Sequence, residues 1–188
     1  MSMIEAGHEF RFRTEDFKLD EIEPQFVPTE MEQDIVASLK AASPLILEGS
    51  RGTGKSFLMR VAEVELNKTF QQDRIIPIYL SFLKSSLIHS SDANQFQHWM
   101  LSRLCSAVLR AIRIKGLLVP NSMPFTLLAG GSITLDGSAP TALEKLTEEY
   151  ESSYQTPGAQ ITPTHVPDVQ AFKDAIEEIC QQFDISRF

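Results

Sequence analysis

The sequence predicts an α/β fold in which helices flank an incomplete parallel sheet. The 188 residues are 43% hydrophobic and 22% charged, which is ordinary for a globular domain with a core. A short apolar run at residues 44–48 leads into a glycine-rich loop and then into residues with helical spacing, and a second apolar run follows at 74–82. Because strands buried on both faces read as continuous apolar runs, this alternation indicates a parallel sheet.

A capped helix is expected ahead of the first run. Residues 1–28 mix charges and aromatics without a period, which predicts an irregular extension. Thr29 is followed three residues later by Glu32, the pattern of a capping box that satisfies backbone N–H groups at a helix start. Apolar residues then recur every four positions and predict a helix ending near Ala41: Met31, Ile35 and Leu39.

Two strands and a helix are predicted next. Pro44 is tolerated as the first residue of a strand over 44–48, and residues 55–66 are good helix formers with apolar positions at helical spacing. Residues 74–82 read as the second strand. Pro77 lacks a ladder donor, so we expect that strand near an edge of the sheet.

The second half predicts helices around a segment rich in proline and glycine. Asp92 is expected to cap a long helix that stops at Gly116. A short hairpin strand at residues 132–135 and an acidic helix at 142–154 follow, and Asp168 is expected to cap a last helix. The predicted organisation is an extension at 1–28, a core that contains the glycine-rich loop at 29–116, an insertion at 117–167, and a helix with the start of another core strand at 168–188.

The loop after the first run satisfies the pattern G-x-x-x-x-G-K-[ST] in full: Gly49, Ser50, Arg51, Gly52, Thr53, Gly54, Lys55 and Ser56. Glycines let the backbone turn successive N–H groups inward as a nest for anions, and the start of the following helix adds positive potential. Lys55 is placed to reach the β- and γ-phosphates, and the Ser56 hydroxyl to complete Mg²⁺ coordination. We expect Thr53 to contribute only its backbone, and Arg51 to face solvent rather than a partner protomer.

Catalytic residues are not assigned by the sequence. Hydrolysis needs a carboxylate at the end of a second buried strand, and Asp136 is the internal candidate. The run before it alternates polar and apolar residues, which favours a half-exposed hairpin and argues against this role. Glu48, Glu63 and Glu65 are expected to be a strand-end residue and solvated helix charges.

Other sequence features restrict the type of nucleotide and the expected cellular location. A guanine-reading NKxD tetrad is absent, since residues 67–70 read Asn-Lys-Thr-Phe, so ATP is favoured over GTP. The four histidines share no metal-ligand spacing. The net charge of −8 disfavours broad binding to nucleic acid, and no run is long enough to span a membrane, so a cytoplasmic protein with two reduced cysteines is expected.

Residues 26–82, with the capped helix, the loop and the second apolar run, resemble P-loop ATPases of the AAA+ and STAND type, including the origin-recognition-like group of bacterial ATPases. The resemblance implies ATP and Mg²⁺ as ligands, and an adenine pocket near Phe26, Val27 and Ile35. The family's Walker B carboxylates, sensor, arginine finger and helical lid cannot be placed after the loop. We therefore expect the N-terminal part of a longer ATP-driven switch, with little hydrolysis of its own and with protein partners or self-association.

Two alternatives remain open. A small-molecule kinase would use the same loop, although such enzymes start at the loop strand and carry an arginine-rich lid, which is not evident here. An interaction scaffold with a vestigial nucleotide site is the third interpretation.

Overall fold

The computed structural model describes residues 14–134 and 139–188. The fold is helical, with 59% helix. The described α-helices are α1 (Leu19–Ile22), α2 (Glu30–Lys40), α3 (Lys55–Asp73), α4 (Gln95–Ile114), α5 (Met123–Ala129), α6 (Ala142–Ser152) and α7 (Val169–Phe183). Short 3-10 turns lie at Thr14–Asp16, Glu23–Gln25, Leu83–Leu87 and Ser153–Gln155.

The predicted parallel sheet is wrong. Residues 44–48 have no regular secondary structure. Leu45 and Ile46, expected to be buried on both faces, are 47% and 84% exposed. An apolar run becomes a buried strand only where neighbouring strands take up its backbone N–H and C=O groups and helices cover its faces. No strand forms in the described part of the chain, so this run has no such neighbours.

The second predicted strand is reduced to a single parallel bridge between Ile75 and Arg187. The Ile76 N–H donates to the carbonyl of Arg187 at 2.9 Å, and the Ser186 N–H donates to the carbonyl of Arg74 at 2.8 Å. The further strand expected within residues 168–188 is likewise limited to this contact. The predicted hairpin strand at 132–135 is also wrong over residues 132–134, which have no regular structure, and Leu135 lies outside the described residues.

The chain divides into two compact units, Met1–Thr69 and Phe70–Phe188. The boundaries predicted from the sequence at residues 28, 116 and 167 remain predictions. In the first unit, the described helices enclose a small core of six buried side chains: Ile22, Val36, Leu58, Val61, Ala62 and Val64.

The capping box at the start of α2 is confirmed. The Thr29 N–H donates to Glu32 Oε2 at 2.8 Å, and the Glu32 N–H donates to Thr29 Oγ1 at 3.3 Å. These hydrogen bonds with Thr29 lower the pKa of Glu32. The helix ends at Lys40, close to the predicted Ala41.

In the second unit, α4 packs against α5 and α6, and α5 packs against α7. Trp99, Phe125 and Tyr150 are the largest fully buried side chains of the core. The cap of α7 is confirmed, because the Ala171 N–H donates to Asp168 Oδ1 at 2.7 Å. The sequence did not predict α5.

The predicted cap of α4 is wrong in detail. The helix begins at Gln95 with Asn94 at its N-cap, and the Asp92 side chain does not cap the helix. Asp92 Oδ2 accepts a hydrogen bond from the Tyr150 hydroxyl at 2.7 Å and lies 2.6 Å from His98 Nδ1. Burial pushes the pKa of Asp92 up, but the hydrogen bonds from Tyr150, the Asn94 N–H and His98 outweigh it, so the pKa of this carboxyl lies below its ordinary value.

Candidate functional site

The loop at residues 49–54 leads directly into α3, which begins at Lys55. The Leu58 N–H donates to the Gly54 carbonyl at 3.0 Å, so the helical hydrogen bonds start within the loop. Gly52 and Gly54 have φ of 88° and 78°. These backbone conformations are costly for residues with a Cβ, and since a Cβ on either would meet nothing within 4 Å, conformation rather than space favours glycine here.

Gly49 is favoured because the side chains of Thr53 and Lys55 lie close to it. A Cβ added to it would lie 3.0 Å from Thr53 Oγ1 and 3.7 Å from Lys55 Nζ. Any larger residue would therefore push the Thr53 hydroxyl away and crowd the ammonium. The first glycine of the motif keeps open the space in which the lysine lies.

The Lys55 ammonium is held by the loop itself. Its Nζ donates to the carbonyl oxygens of Gly49 at 2.6 Å and Ser50 at 2.7 Å, and to Thr53 Oγ1 at 3.3 Å. An ammonium has three N–H donors, and these three acceptors match them in number. The positive charge is therefore fixed above the loop backbone at the start of α3.

The Thr53 side chain belongs to this arrangement. Its hydroxyl donates to the Ser50 carbonyl at 2.9 Å and accepts from Lys55. The expectation that Thr53 contributes only its backbone missed this. The motif pattern leaves that position free, so the sequence carried no signal for the hydroxyl.

The loop is open to solvent. Lys55 is half-buried, and the other members of the motif are exposed: Gly49, Ser50, Arg51, Gly52, Thr53, Gly54 and Ser56. The Arg51 side chain is exposed in the single chain. A ligand can reach the Lys55 ammonium and the Ser56 hydroxyl without any displacement of core side chains.

The three residues expected near the base differ in exposure: two are partly buried and one is exposed. Phe26 and Ile35 pack against the core of the first unit. The Phe26 ring lies 6.3 Å from the ring of Phe57, the residue that follows Ser56. Val27 is 88% exposed and does not join this packing.

The carboxylates close in sequence to the loop have other partners or lie elsewhere. Glu63 pairs with Arg60 on α3, where both side chains are largely buried, and Glu65 pairs with Lys40 at 2.5 Å. Burial raises the pKa of Glu63, and the adjacent Arg60 opposes that rise without cancelling it. Glu63 is thus not the solvated charge that the sequence suggested. Glu48 is exposed, and Asp136 lies outside the described residues.

The described residues contain neither a cluster of metal ligands nor a helix that could span a membrane. Within residues 14–134 and 139–188, no group of three or more His, Cys, Asp and Glu side chains is placed to hold a metal ion. Of the helices described in those ranges, none combines the length and apolarity needed to cross a bilayer. Cys105 is buried in α4, and burial raises the pKa of its thiol to about 12.

Comparison with known proteins identifies one family. The ORC-CDC6-like family matches residues 10–113, a stretch that contains the loop, α2, α3 and nearly all of α4. No curated protein and no solved structure matched the chain significantly. Because the match covers more than half of the chain, this protein belongs to the ORC-CDC6-like family and is related to the AAA+ ATPases.

Proposed function

We propose that the chain is an ATP-binding domain whose phosphate site is the loop at residues 49–56. The observation that carries the proposal is the position of the Lys55 ammonium, held by the loop backbone at the start of a 19-residue helix. A lysine and a helix N-terminus that converge at a glycine loop form a site for a polyanion.

The residues present fit a triphosphate and its metal ion. The loop is exposed and free of a Cβ at Gly49, where one would crowd Thr53 and Lys55. Lys55 supplies a cation for the β- and γ-phosphates, and the exposed Ser56 hydroxyl supplies an oxygen ligand for Mg²⁺, which keeps several waters in such sites. Mg²⁺ would neutralise phosphate charge, and the side chains of the loop would hold and orient the nucleotide.

The family match supports an adenine nucleotide. Members of the ORC-CDC6-like family are AAA+-related ATPases, which generally bind ATP with Mg²⁺. Phe26 lies beside Phe57 in the first turn of α3, and Ile35 packs against the same small core. We assign the base to that side of the loop, together with Val27.

A nucleotide-dependent switch is the role that this site favours. ATP would order the exposed loop and couple it to protein partners or to further copies of the chain. The acidic charge of −8 argues against nucleic acid as the partner of this segment.

Turnover by the chain is expected to be slow. Phosphate binding needs the loop, Lys55 and Ser56, whereas hydrolysis also needs a carboxylate that orients water and commonly an arginine that neutralises developing charge. Glu63 and Glu65 are engaged by Arg60 and Lys40, so neither is available for that task without breaking an ion pair.

The test is isothermal calorimetry with Mg²⁺-ATP on the wild type and on Lys55→Ala. The variant removes the ammonium but no core volume, so we expect it to lose binding while its melting temperature stays within about 2 °C of the wild type. Lys68→Ala is the matched control. It removes the same charge from an exposed position on the same helix, where the ion pair with Glu23 contributes about 0–1 kcal/mol.

Equal ATP affinities for Lys55→Ala and Lys68→Ala would refute the assignment. Mg²⁺-ATP should also raise the melting temperature by mass action more than Mg²⁺-GTP does. Equal shifts would mean that the base is not read. ADP formed only with a small acceptor would favour a kinase, and no binding of any nucleotide would favour a scaffold.

A further inference from the structure

The side chain of Thr53 joins the two ends of the phosphate loop. Its hydroxyl donates to the Ser50 carbonyl at 2.9 Å and accepts from Lys55 Nζ at 3.3 Å. It is thus both donor and acceptor between the first half of the loop and the lysine that follows it. A hydroxyl group can do both from one atom.

The three partners of Lys55 are not equivalent. The carbonyl oxygens of Gly49 and Ser50 lie at 2.6 and 2.7 Å, while Thr53 Oγ1 lies at 3.3 Å. The hydroxyl is a neutral acceptor at the long end of hydrogen-bond distance, so it is the weakest of the three. An incoming phosphate oxygen, as a charged acceptor, would displace it first.

The position of Thr53 also depends on the loop around it. A Cβ at Gly49 would lie 3.0 Å from its Oγ1, so the first glycine leaves room for the hydroxyl specifically. Gly52 and Gly54, on either side, have positive φ, and in this loop the Thr53 hydroxyl reaches the Ser50 carbonyl.

We propose that Thr53 is a positioning residue for phosphate binding, an inference that rests on the proposed function of this site. Its hydroxyl closes the loop onto Ser50 and holds one N–H of Lys55 in place until a phosphate oxygen of the nucleotide takes that N–H over. The ligand class is a di- or triphosphate, and the base plays no part in this step.

The test compares Thr53→Val, which keeps the branched shape but removes the hydroxyl, with Thr53→Ser, which keeps the hydroxyl. Calorimetry with Mg²⁺-ATP should show affinity about threefold to tenfold weaker for the valine variant, because the hydrogen bond to Ser50 no longer closes the loop before the phosphate binds. The hydrogen bond to Lys55 does not add to this loss, since the phosphate displaces it in any case. The serine variant should stay within about twofold of the wild type. Thr69→Val makes the same chemical change farther along α3 and should leave the affinity unchanged.

Two further measurements separate positioning from a structural role. Mg²⁺-tripolyphosphate, which has no base, should lose affinity by the same factor as ATP. The melting temperature without ligand should stay within about 2 °C of the wild type, because Thr53 is exposed.

The outcomes are distinguishable. If the wild type binds ATP and Thr53→Val binds equally well, the positioning role is wrong and the phosphate site stands. If Thr53→Ser fails to rescue binding, or if the affinity falls only together with the melting temperature, the role is structural and the inference is also wrong. If the wild type binds neither ATP nor tripolyphosphate, the proposed function fails and takes this inference with it.

Discussion

Glu151 on α6 is the centre of a charged cluster in the second unit, and its replacement by glutamine is the sharpest test of how that unit is held together. The carboxylate accepts hydrogen bonds from Lys84 and Arg103, and from Trp99 Nε1 at 3.4 Å. The Glu151 side chain is 10% exposed, that of Arg103 is 23% exposed and that of Lys84 is 56% exposed. The Arg103 guanidinium also lies 5.6 Å from the centre of the Trp99 ring.

The exposure of each partner sets the size of the effect. The exposed pair with Lys84 contributes about 0–0.5 kcal/mol. A hydrogen bond to a charged group contributes about 1.5–3 kcal/mol and one between neutral groups about 1 kcal/mol, so an amide oxygen facing Arg103 loses about 1 kcal/mol. The amide NH₂ of the glutamine then replaces the other carboxylate oxygen and meets a cation instead of an acceptor, which costs about 1 kcal/mol more. We expect Glu151→Gln to lower the free energy of unfolding by about 2 kcal/mol.

Urea denaturation followed by tryptophan fluorescence measures this directly. Trp99 is the single tryptophan of the chain, it is fully buried, and it lies in the cluster, so its emission reports on the second unit. With an m-value of about 2 kcal/mol/M, the midpoint should fall by about 1 M. Glu148→Gln, on an exposed position of the same helix, should change the midpoint by less than about 0.25 M. A similar midpoint for both variants would refute the claim that the Glu151 cluster stabilises the fold.

Two other substitutions test particular contacts. Gly130→Ala should destabilise the chain by about 2–4 kcal/mol, because φ is 71° and the new Cβ would lie 2.9 Å from Cγ of the buried Leu143. Gly116→Ala, at φ of 70° with nothing within 4 Å, should cost only about 1–2 kcal/mol in chemical denaturation, and equal costs would show that the contact with Leu143 is relieved without penalty. Asp92→Asn should be less stable than the wild type at neutral pH, and the difference should shrink as the pH falls through the lowered pKa of Asp92, because the stabilising carboxylate becomes protonated. A difference that grows in acid would contradict the assignment of the lowered pKa.

Local signals in the sequence correctly predicted two helix caps. The capping box of Thr29 and Glu32 and the cap formed by Asp168 depend on residues three positions apart, so the sequence contains everything that determines them. The predicted cap at Asp92 failed because a distant residue competes for the carboxylate. Tyr150, far along the chain, donates to Asp92, and no pattern around residue 92 records that contact.

The prediction of a parallel sheet was wrong for a related reason. An apolar run such as 44–48 predicts burial but not the strands that would bury it, and the structure leaves Leu45 and Ile46 exposed. The bridge between Ile75 and Arg187 joins residues far apart in the chain and forms without a neighbouring strand on either side among the described residues. Pairing between distant segments is the part of a fold that periodicity cannot specify.

In the candidate site, too, the sequence predicted local features but not contacts that depend on the folded structure. The positive φ of Gly52 and Gly54 and the contact of Lys55 with the Gly49 carbonyl form within eight adjacent residues, which a sequence motif can specify, and the binding of phosphate by these residues stays a prediction. The motif did not predict the Thr53 hydroxyl, whose acceptor on Ser50 depends on the folded shape of the loop. Nor did it predict that Glu63 would be paired with Arg60 in a largely buried position.

The difference between local and long-range contacts also distinguishes phosphate binding from hydrolysis. The groups proposed to hold phosphate are adjacent in the chain, and the contacts among Gly49, Ser50, Thr53 and Lys55 all form within the loop and the first residue of α3. These contacts are present although no strand forms among the described residues. A carboxylate that orients water has to arrive from elsewhere in the fold, and its placement depends on distant pairing. Binding of tripolyphosphate therefore tests the loop alone, whereas ATP hydrolysis tests the loop together with the tertiary structure that brings such a carboxylate to it.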